Sequence, residues 1–346
     1  MGRRNLGVLA VTRAPNLNPA PADNSERGGL RLRLGARGAL HSRLGSARVS
    51  RHAARVRVLI VGCGYVGLPL GAELVRRGHA VCGLRRSADG AGELLAAGVT
   101  PVVGDVTEPE SLRALPGPFD WVVNTVSSSK GGADVYRAVY VEGTRNLIAW
   151  LTGGALQKFV HTSSTSVYGQ ADGGEVTEVS ETEPRAETGK LLVETENLLV
   201  AAARERSFPA VVLRVAGIYG PGRGHLFQQY LRDEARISGD GIRLLNMIHR
   251  DDVVGAAIAA LERGEPGRIY NVADDEPVSQ LDFFRWLSVQ LRKPLPPFAS
   301  AEESAGRKRG VTNKRVSNRR LREELGCGLK YPTFREGYAE EMRRGS

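Results

Sequence analysis

Cysteine is scarce in this chain, long apolar runs are missing, and acidic residues are almost absent from its first sixth. Cys63, Cys82 and Cys327 are odd in number and far apart, which argues against a disulfide framework and for a reducing compartment. No stretch reaches the ~18 uninterrupted apolar residues that a membrane-spanning helix needs. Residues 1–57 hold twelve arginines, no lysine, and only Asp23 and Glu26 as acids. The net charge of +10 therefore sits in this segment, because the other 36 basic and 36 acidic residues balance. The charge-neutral body has no stripe of basic and aromatic side chains, so nucleic-acid binding would rest on the arginine segment alone.

Residues 1–52 mix arginine with small residues and show no sustained helical or alternating period, so a disordered extension is expected. Three explanations stay open: an Arg-rich, acid-poor transit peptide, an arm for acidic surfaces, or an extension without a selected role. No clean apolar core follows the first arginines, which disfavours a secretory signal. A cytoplasmic location is expected, with organelle import as the alternative.

What is present starts at residue 56. The apolar run Val56–Val61 ends in Gly62-x-Gly64-x-x-Gly67, and a helical pattern follows from Leu68 to Arg77. Strand, glycine turn and helix, in that order, are the context that a dinucleotide fingerprint requires. The first glycine allows a tight turn, the second lets a pyrophosphate approach, and the third lets the helix pack close to the strand. Cys63, Tyr65 and Val66 fill the turn, and the N–H groups of the helix start face the phosphates. Cys63 has no histidine nearby in sequence and reads as a small packing residue rather than a nucleophile.

Further strands are expected at Ala80–Leu84, Thr100–Val103, Trp121–Asn124, Phe159–Thr162 and Ala210–Val215. Helical segments are expected at Glu93–Ala97, Ser111–Leu115, Asp134–Leu151 and Leu191–Arg206. Repeated strand–helix units predict an α/β chain: a Rossmann-type, doubly wound parallel sheet with a small C-terminal cap. One domain over 56–346 is expected, its cap drawn mainly from 217–247 and 273–346. An NAD-preferring site typically places Asp or Glu at the end of the second strand, where this chain has Arg85-Arg86-Ser87. Guanidinium forks suit a 2′-phosphate, so NADP is expected as cofactor, with NAD as the alternative. Asp105 and Val106, closing the third strand, complete the expected cofactor contacts. No metal site is expected.

Several ordered motifs follow: His161-Thr-Ser-Ser-Thr-Ser-Val-Tyr168-Gly169, Gly189-Lys190-Leu-Leu-Val-Glu194, Leu213-Arg-Val-Ala-Gly-Ile-Tyr-Gly-Pro-Gly222, Ile248-His-Arg-Asp-Asp252 and Ile269-Tyr-Asn-Val272. Together with the glycine turn they resemble the extended short-chain dehydrogenase/reductase superfamily, which includes nucleotide-sugar epimerases and dehydratases. The resemblance implies hydride transfer at a hydroxyl or ketone carbon of a small-molecule substrate, a nucleotide sugar among the candidates. It also implies a homodimer through the helices 134–151 and 191–206. Ser164 matches the hydroxyl that holds the substrate oxygen, and Lys190 matches the lysine that binds the nicotinamide ribose. The general acid/base tyrosine expected four residues before that lysine is Ala186. Tyr140 replaces an asparagine expected three residues before Gly143-Thr144, and it is the candidate substitute proton donor. These departures are similar to the atypical branch of the superfamily, labelled NAD-dependent epimerase/dehydratase. The competing reading is a dinucleotide-binding regulatory or scaffold protein that has lost turnover. His249 and Asp252 are expected to position the cap and start a helix, and Asn271 to be structural.

Overall fold

The computed structural model describes residues 55–128, 132–300 and 312–344; the arginine-rich extension lies outside them. Seven strands form one parallel sheet: β1 (Arg57–Val61), β2 (Ala80–Arg85), β3 (Thr100–Val103), β4 (Trp121–Asn124), β5 (Lys158–Ser164), β6 (Ala210–Val215) and β7 (Ile269–Val272). Their spatial order is β3-β2-β1-β4-β5-β6-β7. The order reverses between β1 and β4, where the crossovers diverge and leave a crevice at the carboxyl ends. The register brings those ends level: Val61 lies beside Leu84 on one side and Asn124 on the other.

Helices cover both faces, so the strands read as apolar runs. Along β1 the twofold alternation sends Val58 and Ile60 into one apolar cluster and Leu59 and Val61 into the other. On one face, the helix Gly67–Arg76 contributes Leu70 and Leu74 to the first cluster. On the other, Leu147, Ile148 and Leu151 of the helix Gly143–Leu151 join the second. Several expected boundaries move, two of them in the helices beside the crevice. The expected helix over 134–151 is interrupted by a π-helical turn at Ala138–Glu142. The helix expected from Leu191 starts at Glu187 and runs to Arg206.

Beyond β6 the chain adds short strand pairs: Gly217–Tyr219 with Met247–His249, Leu244–Leu245 with Val278–Ser279, and Glu175–Val176 with Arg315–Val316. An aromatic cluster that includes Tyr219, Phe227, Tyr230, Phe283, Phe284, Phe334 and Tyr338 packs this region. His249 caps the helix Arg250–Arg263 through its own side chain, which accepts from the Asp251 N–H at 3.1 Å. Asp252, expected to start that helix, instead accepts from the Lys330 and Tyr331 N–H groups at 2.5 and 3.0 Å. It ties the C-terminal segment down, and burial pushes its carboxyl up to about 6.

Candidate dinucleotide cleft

The glycine turn is built by constraints that differ at each glycine. Gly62 has φ +81°, and a side chain there would run into the Val126 backbone at 2.8 Å. Gly67 opens the helix so close to β1 that a Cβ would meet Gly62 O and Ile60 at 2.9 Å. At Gly64 the nearest atom to an added Cβ is Gly62 O at 3.9 Å. The protein itself leaves that position open, and Gly64 is exposed to the cleft. A backbone kept bare where nothing of the fold demands it fits a ligand that approaches closely. The residues present therefore fit a dinucleotide: a bare glycine face next to the uncapped first turn of a helix.

This turn forms one end of a cleft of about 570 Å³ at the carboxyl edge of the sheet. Cys63, Tyr65, Val66, Asp105, Val106, Arg85 and Arg86 line it. The two arginines have different surroundings. Arg85 is folded back: its Nε donates to Cys63 O at 2.7 Å, and its fork donates to the Asp89 and Gly90 carbonyls and Glu93. It braces the glycine turn from below. Arg86 is exposed at the cleft rim beside Ser87. The Asp105 carboxylate lines the cleft while accepting from the Thr107 N–H and hydroxyl at 2.9 Å each, and retains acceptor capacity. Val106 packs against Gly143, whose added Cβ would meet its side chain at 2.7 Å. Burial pushes the Cys63 thiol up to about 11, which makes it inert.

The opposite end of the cleft collects hydroxyls from three elements. Ser127 and Ser128 follow β4, Thr162 and Ser163 end β5, and Tyr140 comes from the π-helical turn, whereas Thr125 donates to Gly62 O at 2.9 Å and belongs to the glycine turn. Tyr140 is buried, stacks on Tyr136 with centroids 4.2 Å apart, and accepts from the Ser128 N–H at 3.3 Å. Ser163 donates to Glu196 at 2.5 Å, so toward the cleft its oxygen offers a lone pair. Glu196 pairs with Arg214 of β6 at 2.7 Å, both almost fully buried. Arg214 also donates to the Tyr168 hydroxyl at 2.9 Å, and Tyr168 donates to Asn271 at 2.8 Å. A buried polar network thus underlies the cleft floor, with Asn271 as one of its structural members. The sequence signal for it was Arg214 itself, a cation inside the apolar run of β6 that folding must pair.

Lys190 and Ser164 lie elsewhere than the motif match implied. The helix Glu187–Arg206 turns Gly189, Leu192, Glu196 and Leu199 inward. Lys190 is on the outer side, with a side chain 60% exposed and its ammonium 3.5 Å from Glu187. Glu194, four residues on, is likewise paired with Arg137 and Arg145. Spacing matched the motif, but the helical angle carries the lysine away from the cleft. Ser164 spends its oxygen on the Ser166 N–H at 3.2 Å and caps a short 3₁₀ turn, while its neighbours Thr162 and Ser163 line the cleft. Ala186 is exposed at the start of the helix, off the cleft lining. Arg223 was missed altogether; it lines the cleft from the loop after Gly217–Tyr219.

The family model for the NAD dependent epimerase/dehydratase family matches residues 58–273. Protein YeeZ of Escherichia coli is 28% identical over 80% of this chain and 96% of its own length. A 3-beta-hydroxysteroid dehydrogenase of Mycolicibacterium neoaurum is 30% identical over 83% of this chain and 79% of its own. A solved UDP-glucose 4-epimerase of Thermotoga maritima superposes with a TM-score of 0.72 at 19% identity, covering 84% of this chain and 99% of that one. That last likeness concerns the fold.

Proposed function

The chain belongs to the NAD dependent epimerase/dehydratase family, and from that premise we propose that it is an NADP-preferring enzyme acting on a hydroxyl or ketone carbon. One observation carries the reading: a single cleft joins a bare glycine turn at one end to a cluster of hydroxyls at the other. The nicotinamide would supply or accept hydride at the substrate carbon. The chain's own groups would do the rest. The N–H groups of the first helical turn bind phosphate, and Arg86 with Ser87 meets the 2′-phosphate. Asp105 accepts from the adenine amino group. Ser163, its proton held by Glu196, accepts from a donor on substrate or cofactor.

Tyr140 is the proton-carrying residue of this proposal. It is the phenol that lines the hydroxyl end, where neither Lys190 nor Ala186 stands. The π-helical turn that carries it inserts an extra residue per turn, and such turns gather at functional sites. Substrate candidates are secondary alcohols and ketones, with nucleotide sugars from the superfamily resemblance and steroid alcohols from the dehydrogenase relative. A homodimer through the helices Gly143–Leu151 and Glu187–Arg206 belongs to the same proposal. The exposed Ala186 and outward Lys190 favour a second reading, in which the cofactor is bound for regulation without turnover.

Stopped-flow assay of NADPH oxidation against ketones, aldehydes and keto-sugars, with Tyr140→Phe in parallel, separates the two. Turnover lost in Tyr140→Phe at unchanged NADPH affinity is the expected result. NADPH binding without turnover on any substrate favours the regulatory reading, and full activity in Tyr140→Phe removes this phenol from the mechanism.

A further inference from the structure

Arg223 lines the same cleft as Arg86, from the loop Gly220-Pro221-Gly222-Arg223-Gly224. Three features fix it there. Gly220, Gly222 and Gly224 all have positive φ, at +134°, +69° and +127°. Gly220 and Arg223 exchange backbone hydrogen bonds at 2.8 and 3.3 Å, closing a tight turn. The guanidinium then lies over the ring of Tyr65, 4.9 Å from its centroid. Tyr65 is a residue of the dinucleotide fingerprint itself, between Gly64 and the helix start at Gly67. The cap loop thus places a cation against the same turn whose backbone receives phosphate.

The neighbouring arginines are already committed. Arg250 also lies over Tyr65, at 5.4 Å, but it pairs with Asp251 at 3.1 Å. Arg85 is held by carbonyls and Glu93. Among the described residues Arg223 has no carboxylate partner, and it is exposed to the cleft. A guanidinium seated on an aromatic face keeps its five donors in plane and free for an oxyanion. The guanidinium meets Tyr65 through the ring face, so the ring acts as a platform, while the Tyr65 hydroxyl is buried without a hydrogen-bond partner among the described residues.

We propose that Arg223 is a diphosphate fork that closes over the glycine turn from the cap side, with Tyr65 as its positioning residue. This rests on the dinucleotide reading above and deepens it. The diphosphate has two possible sources, the bridging pyrophosphate of the dinucleotide or that of a nucleotide-activated substrate. Proximity to Tyr65 favours the first.

The test titrates the full chain and its Arg223→Gln and Tyr65→Leu variants with NADPH, ADP-ribose, adenosine 2′-monophosphate and UDP-glucose by calorimetry. Arg223→Gln should weaken NADPH and ADP-ribose by about tenfold or more, the loss of one charge-assisted contact. Adenosine 2′-monophosphate, which lacks a diphosphate, should bind unchanged. Tyr65→Leu should give a smaller loss with the same ligand pattern. A loss confined to UDP-glucose keeps the fork and assigns it to the substrate. Equal affinities of wild type and Arg223→Gln for every ligand overturn the fork while leaving the dinucleotide reading intact. A wild-type chain that binds none of the four overturns both.

Discussion

The two ends of the cleft obey different rules. At the glycine turn, function follows from the spacing of Gly62, Gly64 and Gly67, which already states the backbone each position needs, even though the wall against Gly62 is the distant Val126. At the hydroxyl end, function depends on which way a helix faces and on partners far apart in sequence, such as Ser163 with Glu196 and Glu196 with Arg214. Spacing is sufficient evidence at the first end. At the second it is not, since a matched lysine points into solvent while a substituted tyrosine lines the cleft.

The largest effect should come from the floor of the hydroxyl end. Arg214→Met leaves Glu196 charged, buried and without its guanidinium, a change that costs about 3–5 kcal/mol. Chemical denaturation should show that loss, and the double variant Arg214→Met/Glu196→Leu should recover much of it. Equal stability of Arg214→Met and wild type would mean that the pair does not organise this end.

Next come the glycines. Gly67→Ala places a methyl 2.9 Å from Gly62 O and Ile60, so helix and strand must separate; about 1–3 kcal/mol of stability should go. Gly64→Ala meets nothing of the protein closer than 3.9 Å, and its melting temperature should stay at the wild-type value. Its NADPH affinity should nonetheless fall by about tenfold or more, because the methyl occupies ligand space. Thermal melts beside NADPH titrations test the contrast, which collapses if the two variants behave alike.

The cofactor preference divides the arginine pair. Arg86→Ala should lower the NADPH-over-NADH preference by about tenfold, since its exposed fork has a 2′-phosphate to lose. Arg85→Ala should weaken both nucleotides equally, because what it loses is the brace on Cys63 O. Competition binding of the two coenzymes decides it; a preference that follows Arg85 would invert the assignment.

These cases also mark how far the sequence could be read. Six of the seven sheet strands, the parallel sheet and the glycine turn were legible because period and turn chemistry are local properties; Ile269–Val272 stood out as a motif and not as a strand. The end of β5 was placed two residues early, at Thr162 instead of Ser164, because a run of serines carries no alternation to mark where pairing stops. Arg85 and Arg86 are adjacent and chemically identical, so only the fold shows that the last strand residue folds back onto the turn while the residue after the strand stays at the rim. The π-helical turn left no mark in the pattern, although it sets where Tyr140 emerges. His249 capped a helix for which Asp252 looked the better candidate, because a distant C-terminal segment claims the aspartate.

The smallest expected effect is at Lys190, and it bears directly on the difference between the two ends. Its ammonium is 3.5 Å from Glu187, with both side chains more than half exposed, and such pairs contribute at most about 1 kcal/mol. Lys190→Met should therefore change stability little and leave both NADPH affinity and turnover at wild-type values. Ala186→Tyr should be equally silent, because that position is exposed at the helix start and a phenol there stands in water. The assay is a kcat and KM comparison of the two variants with wild type on whichever substrate turns over. A kcat loss of tenfold or more in Lys190→Met would mean that the helix start rearranges to bring the lysine to the nicotinamide ribose. In that event the motif spacing would outrank the helical angle, and the hydroxyl end would be read as locally as the glycine turn.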